Sequence, residues 1–173
     1  TKDNDFTWKE FQLRNNSELV AIYGNFINRT LVLTHKYFNA VVPEPANLEK
    51  IDEELLKMLS RKADEIESSI ESFKFREALS RLMDLARSGN KYLADTEPWK
   101  IIKTDEVRVK TIIYISIQIA GALRILSEPF LPFSAQKLAS MLNLPDNSWD
   151  KAKEYPLIKA GSEIGEVGLL FEK

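Results

Sequence analysis

Apolar residues recur along this chain with the 3.6-residue period of helices, in stretches separated by prolines and capping signals. Leu19, Ile22, Tyr23, Phe26, Leu33 and Tyr37 share one face and predict a helix over 17–38. Asn15 and Glu18 stand at capping-box spacing before it, and Asn39 with Pro43-Glu44-Pro45 closes it. A shorter helix is predicted to start at Thr7-Trp8-Lys9-Glu10, a second capping box. Leu55, Leu56, Leu59, Ala63, Ile66 and Ile70 predict a helix over 48–72, with Asn47 as its cap. Ala78, Leu79, Leu82, Leu85 and Ala86 predict another over 75–95. Ser88-Gly89-Asn90 is a soft spot where that helix could stop or bend, and Pro98 forces an end or kink near Glu97. Thr104-Asp105-Glu106 opens a helix over 105–127 that is apolar nearly all round and so belongs at the centre. Pro129 and Pro132 break the chain before a short helix over 134–142. The remainder, with its scattered prolines and glycines, reads as irregular. No repeat and no strand-rich segment stands out. The pattern predicts an all-α protein, an antiparallel helix bundle with short connections.

Composition narrows the function. The 173 residues suit one domain, and 44% apolar with 29% charged residues is the globular range. The net charge of -2 gives no global positive field, so a nucleic-acid role needs a local site. The absence of cysteine excludes disulfides, thiolate zinc sites and a cysteine nucleophile. The single histidine, His35, cannot build a multi-histidine metal site and reads as a surface residue on the polar side of its helix. The apolar run from Thr111 to Leu126 is interrupted by Ser116, Gln118 and Arg124 and is shorter than a membrane span, so no membrane is expected as a partner. The chain starts on Thr1 without a signal peptide and stops just after Leu169-Leu170-Phe171, which reads as a piece of a longer chain.

No glycine-rich phosphate loop is present, and the carboxylates read as lying on charge-balanced helix faces, so no catalytic residues are expected. Two polar features remain. Asn25 and Arg29 are four apart on one helix face bordering the apolar stripe, and Lys36 extends the strip. An amide and a guanidinium there can reach base edges or phosphates, although spacing alone favours pairing with a neighbouring helix. Asn90-Lys91-Tyr92 is followed by Pro98-Trp99, with Tyr92 and Trp99 on one face if the helix persists. Trp99 near Lys91, Lys100 and Lys103 could stack an unpaired base, although spacing alone favours a hydrophobic plug under the helix end.

Asp5-Phe6-Thr7-Trp8, Arg14-Asn15-Asn16-Ser17-Glu18-Leu19 and Gly24-Asn25-Phe26-Ile27-Asn28-Arg29 together resemble the carboxy-terminal region of methionyl-tRNA synthetases. So do Asn90-Lys91-Tyr92 with Pro98-Trp99-Lys100, Phe130-Leu131-Pro132-Phe133 and the closing Leu170-Phe171-Glu172-Lys173. The resemblance runs in order over nearly the whole chain. It implies a helix bundle of the class I synthetase anticodon-binding type, recognising the CAU anticodon of methionine and initiator tRNAs. Carried over residue by residue, it implies anticodon contacts from Asn25, Arg29, Pro98 and Trp99, with Asn90, Tyr92 and Lys36 in support. Residues 1–16 would then connect from a catalytic domain of the same chain, residues 17–144 would form the bundle, and residues 145–173 would pack back on it. The family's two ATP-handling motifs and its zinc knuckle have no counterpart here. The fragment is therefore expected to carry no cofactor and to activate no methionine. ATP, magnesium and, where the knuckle exists, zinc would belong to the parent enzyme, a cytoplasmic methionine–tRNA ligase. The anticodon domain of another class I synthetase and a helical protein–protein interaction module remain alternatives.

Overall fold

Helices and short connections account for nearly all of the computed structural model, which describes residues 5–145 and 148–172. Element order is α1 (Trp8–Arg14), a wide π-type turn segment (Asn15–Gly24), α2 (Asn25–Phe38), α3 (Lys50–Glu71), α4 (Phe75–Thr96), α5 (Pro98–Ile101), α6 (Glu106–Leu126), α7 (Pro132–Leu142) and a 3₁₀ turn (Trp149–Lys153). The expected connector and C-terminal segment include positions 1–4, 146–147 and 173, which lie outside the described residues.

Thr7 caps α1 as the sequence suggests, its hydroxyl accepting from the Glu10 amide at 3.1 Å. The capping box expected at Asn15 and Glu18 does not form. Arg14, Asn15, Gly24 and Asn25 all keep right-handed helical dihedrals, so α1, the wide segment and α2 make one continuous rod. The reason is that Asn15 and Glu18 have tertiary partners instead. The Asn15 amide donates to the Glu172 carbonyl at 3.4 Å, and Glu18 pairs with Arg87 of α4. Asn39, in the left-handed region at φ 51°, ends the rod.

Glu49, not Asn47, caps α3: its amide donates to Asp52 Oδ2 at 2.9 Å. The α4 soft spot is not a break. Gly89 lies mid-helix because Phe26 of α2 crosses there, and a Cβ on it would sit 2.6 Å from the Phe26 ring. Pro98 acts as predicted. Glu97 closes α4 at φ 42°, and Pro98 occupies the first turn of α5. Pro132 also starts a helix rather than merely breaking the chain, because its missing N–H costs nothing in a first turn.

Every residue from Thr111 to Leu126 of α6 is buried. The helix is long and apolar enough to cross a membrane, and here the other elements cover it. Its central amide is fully matched. Gln118 donates to the Ile158 carbonyl at 2.7 Å and accepts from the amides of Leu157 and Ile158 at 2.8 and 2.9 Å. One buried amide thus ties the irregular C-terminal segment to the central helix, satisfying backbone groups that no regular element would. Ile158, Ile164 and Leu170 of that segment are buried in the core. His35 is part of this attachment rather than a surface residue: its Nε2 donates to the Gly165 carbonyl at 2.9 Å.

Candidate nucleic-acid interface

The α2 strip and the α4–α5 turn meet. Asn25 is the first residue of α2, and its helical position presents the amide across to α4. There Nδ2 donates to Asn90 Oδ1 at 2.8 Å. Asn90 is itself fixed, its Nδ2 donating to the carbonyls of Ile22 at 2.8 Å and Ala86 at 3.3 Å. Asn25 stays exposed. Beyond its bond to Asn90, an amide has the capacity for one more donated hydrogen and an accepting oxygen, the paired functions that match a base edge.

One turn on, the Arg29 guanidinium carbon lies 4.7 Å from the centroid of the Trp99 ring. These residues are distant in sequence. Their meeting depends on the turn at Glu97–Pro98, which swings Trp99 out of the line of α4 toward α2. Trp99 is half-buried, packed against the core on one side, so it is partly a hydrophobic plug and partly a surface. Pro98, just before it, is buried. Lys100 pairs with Glu97 at 2.7 Å and Lys91 with Asp95 at 2.7 Å.

Tyr92 does not share a face with Trp99, because α4 ends between them. It is buried, and its hydroxyl donates to Asp52 Oδ1 at 2.6 Å. Arg108 of α6 grips the same carboxylate with two nitrogens, at 2.5 and 2.9 Å. Asp52 thus contradicts the expectation that the carboxylates lie on balanced surface faces: it is fully buried. Burial by itself would raise its pKa, but the hydrogen bonds from Arg108, Tyr92 and the Glu49 amide outweigh that and hold it below its ordinary value. Burial and the bond to Asp52 push the Tyr92 phenol up, so it stays a donor. Tyr92 precedes the Trp99 turn and Arg108 follows it, so this network clamps both flanks of the turn. Asp52 lies 40 residues from Tyr92 and 56 from Arg108, with no local pattern to join them.

Lys36 is exposed, two turns beyond Arg29, with its ammonium 5.4 Å from the Tyr37 ring centroid. On the other side of Asn25 a cleft of about 550 Å³ runs between the rod and Leu169–Phe171, lined by Asn16, Gly24, Asn25 and Asn28. Asn16 and Asn28 were not singled out by the sequence, because only the C-terminal strap makes a wall opposite them. Among the described residues no group of three or more His, Asp or Glu side chains is placed to hold a metal ion.

A family model described as the anticodon binding domain of methionyl tRNA ligase matches residues 42–173. A second, described as tRNA synthetases class I (M), matches residues 1–31. The chain is 59% identical over 173 residues to a methionine–tRNA ligase of Cytophaga hutchinsonii, covering 100% of this chain and 25% of that protein. It is 54% identical over 173 residues to one of Bacteroides fragilis, covering 100% of this chain and 26% of that protein. The chain therefore spans about a quarter of the length of the curated relatives it matches. Among solved structures, Mycobacterium tuberculosis methionyl-tRNA synthetase in complex with methionyl-adenylate has the same fold, with a TM-score of 0.91 at 22% identity over 97% of this chain and 34% of that chain.

Proposed function

The chain belongs to the methionyl-tRNA ligase family, as its anticodon-binding domain, and from that membership we propose that it reads the CAU anticodon of methionine and initiator tRNAs. The observation that carries the site assignment is the Arg29–Trp99 contact at 4.7 Å beside the Asn25–Asn90 hydrogen bond at 2.8 Å. A stacking surface, a guanidinium and an amide stand together, the set that single-stranded loop bases require.

In the free chain the guanidinium lies over the indole. A cation–π contact at such a site is worth about 0.5–1 kcal/mol. Stacking of a base on an aromatic ring is worth about 1–3 kcal/mol. A base can therefore displace the guanidinium, and the freed fork then reaches a base edge or a phosphate. Asn25, held by Asn90, offers its remaining amide functions to a second base. Pro98 sets the turn, Tyr92 supports it, Asn90 holds Asn25, and Lys36 offers a charge to the loop's phosphates. Local polar and aromatic contacts specify the sequence, which suits a chain whose net charge is -2.

The same reading divides the chain into a connector over 1–16, the bundle over 17–144 and a strap over 145–173. In the parent enzyme, acting in the cytoplasm, ATP and magnesium would serve methionine activation in the catalytic domain, and anticodon binding would place the acceptor end there. With one histidine and no cysteine, this chain's residues do not fit a zinc site of its own.

The test is a titration of the chain with RNA stem-loops that differ only in the anticodon. A preference for CAU supports the reading. A preference for another anticodon would point to a different class I synthetase specificity, and no RNA binding would leave a protein interaction module.

A further inference from the structure

The last turn of α6 buries a cation whose donors are mostly unused. Arg124 is 5% exposed. Its Nη1 donates to Glu128 Oε2 at 2.9 Å. Its Nε is buried with no partner, and no hydrogen bond among the described residues uses Nη2. A guanidinium carries its donors in a planar fork, and a buried donor left unpaired is costly. Protein interiors leave few of them, and each calls for an explanation. Arg124 borders a cleft of about 740 Å³, with Phe133, Gln136 and Ser140 in its wall. Part of that wall is the start of α7: Pro132 and Phe133 are its first residues, and no side chain caps it. The N–H groups of this first turn have no intrahelical acceptor and carry the positive end of the helix dipole. Phe133 is 86% exposed, more than any other large apolar side chain among the described residues. Glu128 is the one carboxylate lining the cleft among the described residues, and it is already paired with Arg124.

We infer that this cleft binds a small organic oxyanion, with its phosphate or carboxylate on Arg124 and the start of α7 and its body against Phe133. Such a head group supplies the lone pairs that a guanidinium fork and first-turn N–H groups match. The cleft is far larger than a bare ion and falls in the size range of small-molecule pockets. An exposed ring beside the cation gives an apolar body something to cover, and the amide of Gln136, also exposed, adds a polar contact. Glu128 shares the same fork, so the ligand competes with it and the affinity is set by that competition. At about 1.5 Å of rise per residue, Arg124 lies about 24 Å along α6 from Arg108, which flanks the Trp99 turn. The cleft is therefore separate from the Asn25–Arg29–Trp99 site and stands or falls independently of the anticodon reading.

The test is an NMR titration of the isotope-labelled chain with inorganic phosphate, phenyl phosphate, acetate and benzoate, at an ionic strength held constant with sodium chloride. The backbone amides of Phe133 and Ser134 and the Arg124 Nε–H are expected to shift saturably. Phenyl phosphate and benzoate should reach half-saturation several-fold below phosphate and acetate, and the tighter of the two aromatic probes identifies the head group. Arg124→Gln should raise the midpoint by about tenfold or more. Glu128→Gln, which removes the competing carboxylate, should lower it several-fold. The absence of saturable shifts, the same shifts from chloride alone, or an unchanged midpoint in Arg124→Gln overturns the inference. Equal midpoints for phenyl phosphate and phosphate, and for benzoate and acetate, leave a bare-ion contact and overturn the organic ligand. If Arg124→Gln does not fold, the Glu128→Gln variant decides: a midpoint that stays the same or rises overturns the site.

Discussion

Replacing Trp99 by alanine removes a ring that faces two ways, and the two losses can be measured separately. A fully buried aromatic truncated to alanine costs about 3–5 kcal/mol of folding stability. Trp99 is half-buried against the core. With most of the ring covered, the cost is roughly 2–4 kcal/mol, and loss of the Arg29 contact adds about 0.5–1 kcal/mol. The variant should therefore stay folded in water but unfold at lower urea, followed by far-UV circular dichroism because tryptophan emission itself changes. For a CAU stem-loop, loss of stacking costs about 1–3 kcal/mol, or about 5- to 150-fold in Kd. The wild-type chain must give up the Arg29–Trp99 contact on binding, and the variant has none to give up, so the loss should fall in the lower half of that range. Trp99→Phe, which keeps a stacking face, should recover most of it. The slope of log Kd against log salt should not move, since stacking releases no counterions. Fluorescence anisotropy of a labelled stem-loop at several salt concentrations reads both quantities. If Trp99→Ala unfolds more easily yet binds the CAU loop like the wild type, after correction for the folded fraction, the ring is only a plug and the proposed site is wrong.

Arg29→Ala should relax discrimination between anticodons, measured as the ratio of Kd values for CAU and a single-base variant. If all loops weaken alike and the salt slope falls by about 0.7, Arg29 holds a phosphate and reads no base. Gly89→Ala places a Cβ 2.6 Å from the buried Phe26 ring. Overpacking costs about 1–3 kcal/mol against a helix-propensity gain of about 1 kcal/mol, so urea unfolding should show a net loss; a more stable variant would show that Phe26 moves aside freely. Asp52→Asn removes one side of a buried ion pair and should cost about 3–5 kcal/mol. The pH dependence follows from the lowered pKa of Asp52. Its contribution is complete above its unfolded-state value near 3.8 and is lost as pH falls through the lower folded-state value, so the wild type should lose stability in acid over a window in which Asp52→Asn stays flatter. Parallel acid profiles for the two proteins would contradict that assignment.

The local signals in the sequence were enough for the helices. Periodic stripes, the Thr7 cap and the acids before α6 act within a turn or two of chain, and the elements they predict over 48–72, 75–95, 105–127 and 134–142 appear as α3, α4, α6 and α7 with ends shifted by a residue or two. The all-apolar α6 had no polar face to show water, so its central burial was also legible. Asn25, Arg29 and Trp99 could be nominated from motifs, but their contact could not: it needs α2 packed on α4 and the chain redirected at Glu97. Local signals also misled where a distant partner outbid them. Asn15 and Glu18 carry cap spacing, yet bonds to Glu172 and Arg87 draw them into a continuous rod. Gly89 reads as a soft spot, and only the crossing of Phe26 reveals why a side chain has no room there. Asp52 looks like one more acid at the start of a charged helix until α4 and α6 bring Tyr92 and Arg108 to it. The physical reason is range. Helix propensity, capping and periodicity are properties of neighbouring residues, whereas a buried ion pair, a close helix crossing and the Arg29–Trp99 contact exist only after packing has brought separate helices within a few ångströms.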